Sequence, residues 1–335
     1  MTEARGRRVG LALATVYLVW GSTFLGIRVA VETIPPSLMA GVRFILAGGI
    51  LYAVLRLRGA PPLSGRQWAS SLVIGVLLVT IGNGLLTWSE VRIPSSHAAL
   101  FVTTTPMWMV VLEWSAFGGE RPRPVVLAGL VAGFTGVFLL LSPGRAGPGS
   151  AELVGSLVVV VGSLCWAIGS LLSRRLEMPE APHVGPATQM LLGGIAQLVV
   201  ALALGEGAAL PDRGPSPASL LGLAYLVVVG ALVGYTTYMW LLRHARVSVV
   251  STYAYVNPIV AVFLGWLLAG EIVTGRMLIA AAVIVGSVIV IITFRRPSRA
   301  ATRAGEAHVR PPTSGRAGPG LASASRGRSR TGATR

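Results

Sequence analysis

The 335-residue sequence is 53% hydrophobic and only 12% charged, which leaves too little polar surface for a water-soluble protein of this length. Its formal net charge of +16 comes from 28 arginines and no lysine, and ten of these arginines lie in the last 41 residues. Charge gathered in a tail argues against a nucleic-acid-binding face, and one cysteine, Cys165, excludes an intramolecular disulfide. The chain is therefore predicted to be an all-α integral membrane protein.

Ten apolar segments are long enough to cross a bilayer. A hydrocarbon core of roughly 30 Å needs about 20 helical residues, because each backbone polar group must find its partner within the segment. The first segment follows three arginines and lacks a small-residue cleavage site, so it is predicted to remain as a membrane helix. The predicted spans are 9–30, 36–56, 68–88, 97–117, 124–143, 153–173, 185–205, 218–241, 249–269 and 275–294.

The composition changes after the last predicted span. Residues 295–335 are rich in Arg, Ala, Gly, Ser and Thr and contain almost no large apolar side chains. Such a segment buries too little surface to offset the entropy of ordering, so the tail is predicted to be disordered. Its arginines could contact anionic lipid, although a solvated extension without a partner is the simpler interpretation.

The placement of arginine predicts the orientation. With ten spans both termini lie on one side, and the helix ends and loops of that side carry fifteen arginines against five on the other side. Positively charged loops are retained in the cytoplasm. Both termini are therefore predicted to be cytoplasmic, in a multi-pass protein of the cell (inner) membrane.

The two halves of the chain resemble each other at nearly constant spacing. At an offset of 146, Trp20, Arg28 and Arg43-Phe44 align with Trp166, Arg174 and Gln189-Met190. At an offset of 152, Gly82, Trp88, Pro106 and Trp114 align with Gly234, Trp240, Pro258 and Trp266. Each half, 9–143 and 153–294, then holds five helices. Because five is odd, the second half is predicted to enter the membrane from the opposite side, as in the inverted repeats of secondary transporters.

The order of these motifs resembles the EamA-like permeases of the drug/metabolite transporter superfamily. The resemblance rests on Trp20-Gly21-Ser22-Thr23-Phe24, Arg43-Phe44, Pro106 with Gly119-Glu120, and the echo of Pro258 with Gly270-Glu271. It covers about residues 9–294 and implies a ten-helix carrier, commonly an exporter of amino acids or other metabolites, without naming a substrate. Gln189 stands where symmetry with Arg43 would place an arginine, so the two halves differ chemically.

Two ionisable residues, Arg43 and Glu113, fall inside predicted spans, where an ionised group is costly unless it faces a cavity or a partner. Arg43 could bind a substrate carboxylate or pair structurally with a neighbouring acid or carbonyl. Glu113 could couple transport to protons, contact the substrate, or be a solvated or arginine-paired structural acid near its helix end. The sequence leaves these alternatives open.

Polar and aromatic residues are concentrated in the first, third, eighth and ninth predicted helices. Aromatic faces with scattered hydroxyl and amide groups suit an amphipathic or zwitterionic solute. Some of them are therefore expected to line a central cavity, namely Trp20, Ser22, Thr23, Asn83, Tyr235, Tyr238, Tyr253, Tyr255 and Asn257.

Two prolines and two acids mark the ends and interruptions of predicted helices. Pro106 and Pro258 interrupt the hydrogen-bond ladders of the fourth and ninth helices, either as hinges of moving helices or as static kinks. The acids are expected to form ion pairs that fix helix ends, Glu120 with Arg121 and Glu271 with Arg276.

The sequence shows no phosphate-binding loop, no metal-ligand spacing and no catalytic motif, so transport without ATP, metal or cofactor is predicted. The predicted function is secondary transport of small metabolites such as amino acids or amphipathic drugs, in the direction of export and by alternating access. The alternative is an integral membrane enzyme, or a receptor or scaffold that binds a small ligand without translocation. The substrate, the coupling and the oligomeric state are not fixed by the sequence.

Overall fold

A computed structural model describes residues 3–119, 121–141, 150–181, 183–245 and 253–294. Within these ranges the regular elements are helical, as predicted, and no strand occurs. The α-helices are α1 (Glu3–Ala30), α2 (Pro36–Leu57), α3 (Gly65–Gly75), α4 (Gly84–Ser89), α5 (Ser95–Val102), α6 (Thr104–Ser115), α7 (Pro124–Leu141), α8 (Ser150–Leu172), α9 (Val184–Ala203), α10 (Pro217–Tyr225), α11 (Gly234–His244), α12 (Tyr253–Ala269) and α13 (Gly275–Phe294). A short 3₁₀ helix, Glu206–Ala209, follows α9.

Seven helical stretches in the described ranges are long and apolar enough to span a membrane. They are Gly6–Ala30, Pro36–Leu57, Gly65–Ser89, Ser150–Leu172, Val184–Ala203, Pro217–Tyr238 and Gly275–Phe294. Two shorter apolar helices, Pro124–Leu140 and Val256–Ala269, accompany them. The fold is thus an all-α membrane fold, and the count of ten spans stays a prediction. The predicted disordered tail, 295–335, lies outside the described residues.

Helix ends follow the local sequence. Pro36 stands in the first turn of α2, where its missing N–H removes no helical hydrogen bond. The Ser64 hydroxyl accepts from the backbone N–H of Gln67, and the Gln67 side chain accepts in return from the N–H of Ser64, which fixes the start of α3. Gly270 ends α12 with φ of +63°, a conformation that is strained for residues with a Cβ.

The fourth predicted span, 97–117, is divided into two helices. The first, α5, ends at Val102, and α6 begins at Thr104. Pro106 has no N–H to donate to the carbonyl of Val102, which disfavours an unbroken α-helix at this point. The interruption therefore lies at Thr103, whereas Pro258 stands inside α12.

Two π-helical segments of eight residues lie at related positions in the chain. Val76–Asn83 joins α3 to α4, and Leu226–Val233 joins α10 to α11. Corresponding ends are 150 residues apart, two fewer than the sequence offset of 152 in this part of the chain. Because π turns often occur at functional sites, the helices that contain this matched pair are candidates for a functional site.

Glycines bring α2 and α9 into close contact. A Cβ on Gly48 would overlap the backbone nitrogen of Leu191, and a Cβ on Gly194 would stand 2.7 Å from the backbone nitrogen of Ile45. The two contacts are related by the repeat. At the offset of 146, Gly48 corresponds to Gly194 and Ile45 corresponds to Leu191. Rising numbers in α2 meet falling numbers in α9, so these equivalent helices run antiparallel.

Apolar side chains fill the interior and also cover the outside of the bundle. One buried cluster joins α5 and α6 to α7 and α13, with Phe101, Met107, Val126 and Ile284 among its members. Large apolar side chains such as Phe138 are exposed on the outer surface. In a membrane protein this surface faces lipid, so its exposure carries no cost.

Candidate functional site

Four of the aromatic residues that were predicted to line a cavity lie together where α1, α11 and α12 meet. The ring centroid of Trp20 is 4.9 Å from that of Tyr238 and 5.2 Å from that of Tyr253. The Tyr238 ring lies 5.6 Å from Tyr253 and 6.3 Å from Tyr235. All four side chains are half-buried between these helices. We call these four residues the aromatic cluster.

Contacts with glycine position two equivalent tryptophans. A Cβ on Gly234 would stand 2.7 Å from Nε1 of Trp20, and a Cβ on Gly82 would stand 3.1 Å from Cε3 of Trp166. Trp20 and Trp166 are counterparts at the offset of 146, and Gly82 and Gly234 are counterparts at 152. Each half of the chain thus places its tryptophan against the glycine of the other half.

Arg43 projects from α2 into the bundle and is only 6% exposed. Its Nη2 lies 3.3 Å from the position of a Cβ on Gly230, next to the methyl group of Thr23. Its Nε has no hydrogen-bond partner, and no carboxylate of the described residues lies within 4.0 Å of the guanidinium. The predicted structural pairing with an acid is therefore not found in the described part of the chain. A buried cation with an unfilled donor is suited to an anionic ligand group.

The hydroxyl and amide groups predicted for the cavity are placed along α1 and its neighbours. The Ser22 hydroxyl lies 2.6 Å from the hydroxyl of Tyr225, and Thr23 donates to the carbonyl of Trp20 at 2.7 Å. Asn257 of α12 is 8% exposed, and its Oδ1 has no partner. Ser22, Thr23 and Trp20 therefore form one continuous stretch of α1 that joins Arg43 to the aromatic cluster.

Three further predicted residues stand apart from this stretch or cannot be placed in it. Asn83 ends the π-helical segment that precedes α4, with its amide nitrogen 3.5 Å from the carbonyl of Leu78. Glu113 lies two residues before the end of α6, where its backbone carbonyl accepts from the N–H of Gly119 at 2.7 Å. The side chain of Tyr255 is outside the described part of the structure.

Sequence reasoning missed Glu90, the residue that follows α4. Its side chain is 0% exposed, and neither carboxyl oxygen has a hydrogen-bond partner. Arg28 donates from Nη1 to the backbone carbonyl of Glu90 at 2.5 Å and not to its carboxyl group. Burial, together with nearby Glu271, raises the pKa of Glu90 well above its usual range, against the opposing effects of Arg28 and Arg43. The sequence did contain a signal for Glu90. This acid and Arg28 fall at ends of predicted helices on the same side of the membrane.

Glu271 caps a helix. Its Oε1 accepts from the backbone N–H and the hydroxyl of Ser95, each at 2.7 Å, and its Oε2 accepts from the N–H of Ser96 at 3.1 Å and from the Ser96 hydroxyl. The free N–H groups and the dipole of α5 favour an anion at this place. Burial acts to raise the pKa of Glu271, but these hydrogen bonds outweigh burial and lower it.

The predicted ion pair between Glu271 and Arg276 is wrong. Arg276 donates from Nε and Nη2 to the carbonyl of Leu139 at 2.8 and 2.6 Å, and from Nη2 to the carbonyl of Leu140 at 3.2 Å. Arg276 therefore bonds carbonyl groups at the end of α7, whereas Glu271 bonds N–H groups at the start of α5. The companion prediction for Glu120 falls on a residue outside the described ranges.

An apolar groove of about 390 Å³ lies beside Pro258, between α12 and α13. Its lining contains no charged side chain and includes Phe263 and Trp266, which are exposed on the outer surface of the bundle. Such a surface is expected to contact lipid. The groove is therefore distinct from Arg43 and the aromatic cluster, which lie on the inner faces of the helices.

The chain is similar in sequence to a known family of membrane transporters. The model of the EamA-like transporter family matches residues 8–142 and, a second time, residues 153–293. The chain is 37% identical over 283 residues to the uncharacterized inner membrane transporter YedA of Escherichia coli (strain K12), covering 84% of this chain and 89% of that protein. It is 26% identical over 311 residues to a probable amino-acid metabolite efflux pump of Salmonella typhimurium, covering 89% and 99%.

The fold is similar to that of a solved crystal structure. It aligns with a TM-score of 0.59 at 20% sequence identity, covering 86% of this chain and 99% of that one. At this identity the likeness concerns the fold alone.

Proposed function

The chain belongs to the EamA-like transporter family and is a membrane transporter, and from this premise we propose that it exports small zwitterionic or amphipathic metabolites, such as amino acids or drugs, by alternating access. The observation that carries the proposal is the unfilled donor of buried Arg43 at one end of a polar stretch whose other end is the half-buried aromatic cluster. Export is supported by the relative that is named a probable amino-acid metabolite efflux pump.

The proposed binding mode divides the substrate between two regions. A substrate carboxylate binds the guanidinium of Arg43, because charge-assisted hydrogen bonds to a planar donor are strong where water is excluded. The apolar part of the substrate, or its ammonium group, contacts the ring faces of the aromatic cluster. Ser22 and Asn257 offer neutral hydrogen-bonding groups, and Asn257 has a free oxygen. A solute with one anionic end and an apolar or cationic end fits both regions.

The proposed architecture is an inverted repeat of two five-helix halves, 9–143 and 153–294, with both termini cytoplasmic in the inner membrane. Three observations support it: α2 and α9 run antiparallel, the contacts of Trp20 and Trp166 are reciprocal, and the π-helical segments are matched. Two halves of opposite orientation can exchange conformations around a fixed central site. This exchange would open the site first to one side of the membrane and then to the other.

The elements proposed to move are the helices that contain Pro106 and Pro258. Pro106 cannot donate a hydrogen bond to the carbonyl of Val102, so α5 and α6 can bend relative to each other at Thr103. In the second half, Pro258 removes the N–H that would bond to the carbonyl of residue 254. The arginine-rich tail, 295–335, has no part in the proposed transport mechanism. Its only proposed role is contact with anionic lipid.

The alternative functions differ from transport in what happens after binding. The relatives are named as transporters, which favours transport over catalysis. A receptor would bind its ligand at the same residues without moving it. Binding and movement therefore have to be measured separately.

Ligand-induced thermal stabilisation of the detergent-purified protein tests the binding mode. The panel comprises amino acids, amines, nucleosides, sugars and amphipathic drugs. We expect amino acids with apolar side chains to stabilise the wild type, and Arg43→Gln to weaken their binding roughly tenfold to hundredfold, the value of a charge-assisted hydrogen bond. Arg58→Gln, at an exposed position directly after α2, is the matched control and should bind as the wild type does. Equal binding by Arg43→Gln would remove Arg43 from the site.

A further inference from the structure

Glu90 is a buried acid without a hydrogen-bond donor. An ionised carboxylate removed from water and left without donors costs several kcal/mol, whereas the protonated form costs far less. The side chain is 0% exposed and both its oxygens are unpartnered, so the charged form receives no hydrogen bond in this conformation. Burial without donors therefore favours the neutral form of Glu90 while its surroundings stay closed.

Charged groups on several segments lie at the same end of the bundle as Glu90. Arg28 of α1 is occupied by the backbone carbonyl of Glu90, and Arg43 of α2 lies beyond the 4.0 Å ion-pair distance from its carboxyl group. Glu271, in the turn after α12, adds a like charge. At the same end of the bundle His97 of α5 lies 3.7 Å from Glu152 of α8. Arg28 and Arg43 favour the ionised form of Glu90 through their charge, but neither forms an ion pair or a hydrogen bond with its carboxyl group, and Glu271 favours the protonated form.

The surrounding end of the bundle is packed shut. We call it the Glu90 end, the end where α1 finishes and α2 and α5 begin. Four apolar side chains from different segments of this end are at most 2% exposed, namely Ile27, Met39, Ile93 and Leu226. By contrast, the residues of the aromatic cluster are half-buried. Water reaches the carboxyl group of Glu90 only if this packing opens.

We propose that Glu90 is a proton-binding site whose occupation keeps the Glu90 end closed, and that loss of the proton favours opening of this end. Opening admits water, which solvates the carboxylate, and it frees the guanidinium groups to approach. The proposal deepens the proposed function, because an end that opens is one half of an alternating-access cycle. It assigns the pH dependence of that step to one named carboxyl group.

The expected size of the effect follows from linkage. Closing takes up one proton, so the ratio of closed to open molecules falls by up to about tenfold for each pH unit between the pKa values of the two conformations. Replacement by glutamine keeps the shape of the neutral acid and removes the titration. The variant Glu90→Gln should therefore stay closed at every pH at which the protein is folded.

Labelling of a cysteine in the packed layer measures opening directly. Cys165 is replaced by serine, Ile93 by cysteine, and the rate of reaction with a membrane-impermeant maleimide is followed from pH 6 to pH 9 in purified protein. The rate is divided by the rate in the same background with Glu90→Gln, which removes the pH effects of the thiol and of His97. We expect this ratio to rise severalfold with pH. Glu32→Gln, which alters an exposed acid in the turn after α1, is the control and should leave the rise unchanged.

Infrared spectroscopy supplies a second readout that does not depend on opening. The carbonyl stretch of a protonated carboxylic acid should be present in the wild type at neutral pH and reduced by one group in Glu90→Gln. A labelling ratio that is flat with pH, or an unchanged infrared band, would overturn the proposal. A rising ratio in a protein that moves no solute would uphold the proton-controlled closure and overturn the proposed transport.

Discussion

The indole of Trp20 occupies the space that a side chain at position 234 would need, since a Cβ on Gly234 would stand 2.7 Å from its Nε1. The same indole packs against the rings of Tyr238 and Tyr253. The absence of one side chain on α11 therefore sets the position of an aromatic ring on α1. This relationship ties the packing of the two halves to the geometry of the aromatic cluster.

Replacement of Gly234 by alanine should displace Trp20. Because the ring is also held by two tyrosines, the added methyl group is expected to cost about 1–3 kcal/mol, the usual penalty for overpacking. Thermal unfolding in detergent measures the loss. Gly286→Ala is the control, since an added Cβ there meets nothing within 4 Å and the helix gains about 0.5–1 kcal/mol from loss of a glycine. Equal unfolding temperatures for the two variants would show that Trp20 is not held in this way.

Neighbouring glycines of α2 should respond oppositely to the same substitution. Gly48→Ala places its methyl group on the backbone of α9, which cannot turn aside as a side chain can, so we expect a loss of at least about 1–3 kcal/mol. Gly49→Ala meets only the Leu191 Cδ1, at 4.0 Å, and is expected to be neutral or slightly stabilising. Thermal unfolding of the pair checks the predicted contact between α2 and α9. Similar losses in both variants would contradict it.

The aromatic cluster should contribute to ligand binding through its rings and not through its hydroxyl groups. Tyr238→Ala is expected to weaken binding about threefold to tenfold, since an aromatic contact is worth about 0.5–1.5 kcal/mol. Tyr238→Phe keeps the ring and should bind within the error of the wild type. Titration with an amino acid that stabilises the wild type gives both values. Normal binding by the alanine variant would place the ligand elsewhere.

Glu271 should stabilise the fold in a way that depends on pH. Its folded-state pKa is lowered from the ordinary 4.5, so its contribution is present above that value and is lost as the pH falls through the lowered pKa. Glu271→Gln should lose about 0.5–2 kcal/mol near neutral pH, the usual value of a helix cap, and should show a weaker decline in acid. Unfolding temperatures between pH 3 and pH 7 test both points. A variant that declines in acid as steeply as the wild type would assign the loss to other groups.

The sequence predicted the helices well because the length of an apolar run between turn residues is a local property. The sequence placed Trp20, Tyr235, Tyr238 and Tyr253 among the residues expected to line a cavity, because polar and aromatic side chains in otherwise apolar spans favour inner faces, and the structure brings these four rings together. Their roles in binding remain proposals.

Long-range packing explains what the sequence could not predict. Arg276 is the nearest arginine to Glu271 in sequence, but Ser95, 176 residues away, is nearer in space. Glu90 was overlooked because an acid at a helix end normally reaches water. Only the packing of other helices over that end buries it. Contacts between distant segments therefore determine the surroundings of Glu90 and Glu271, which could not be predicted from neighbouring residues.

Counterflow in proteoliposomes tests whether the protein transports the amino acid that it binds. Vesicles that contain the purified protein are loaded with an amino acid that stabilises it, and uptake of the radiolabelled form is measured with no pH gradient. We expect transient accumulation above equilibrium in the wild type, loss of this accumulation in Arg43→Gln, and its retention in Arg58→Gln. Binding of the same amino acid without any accumulation in the wild type would contradict transport and favour a receptor.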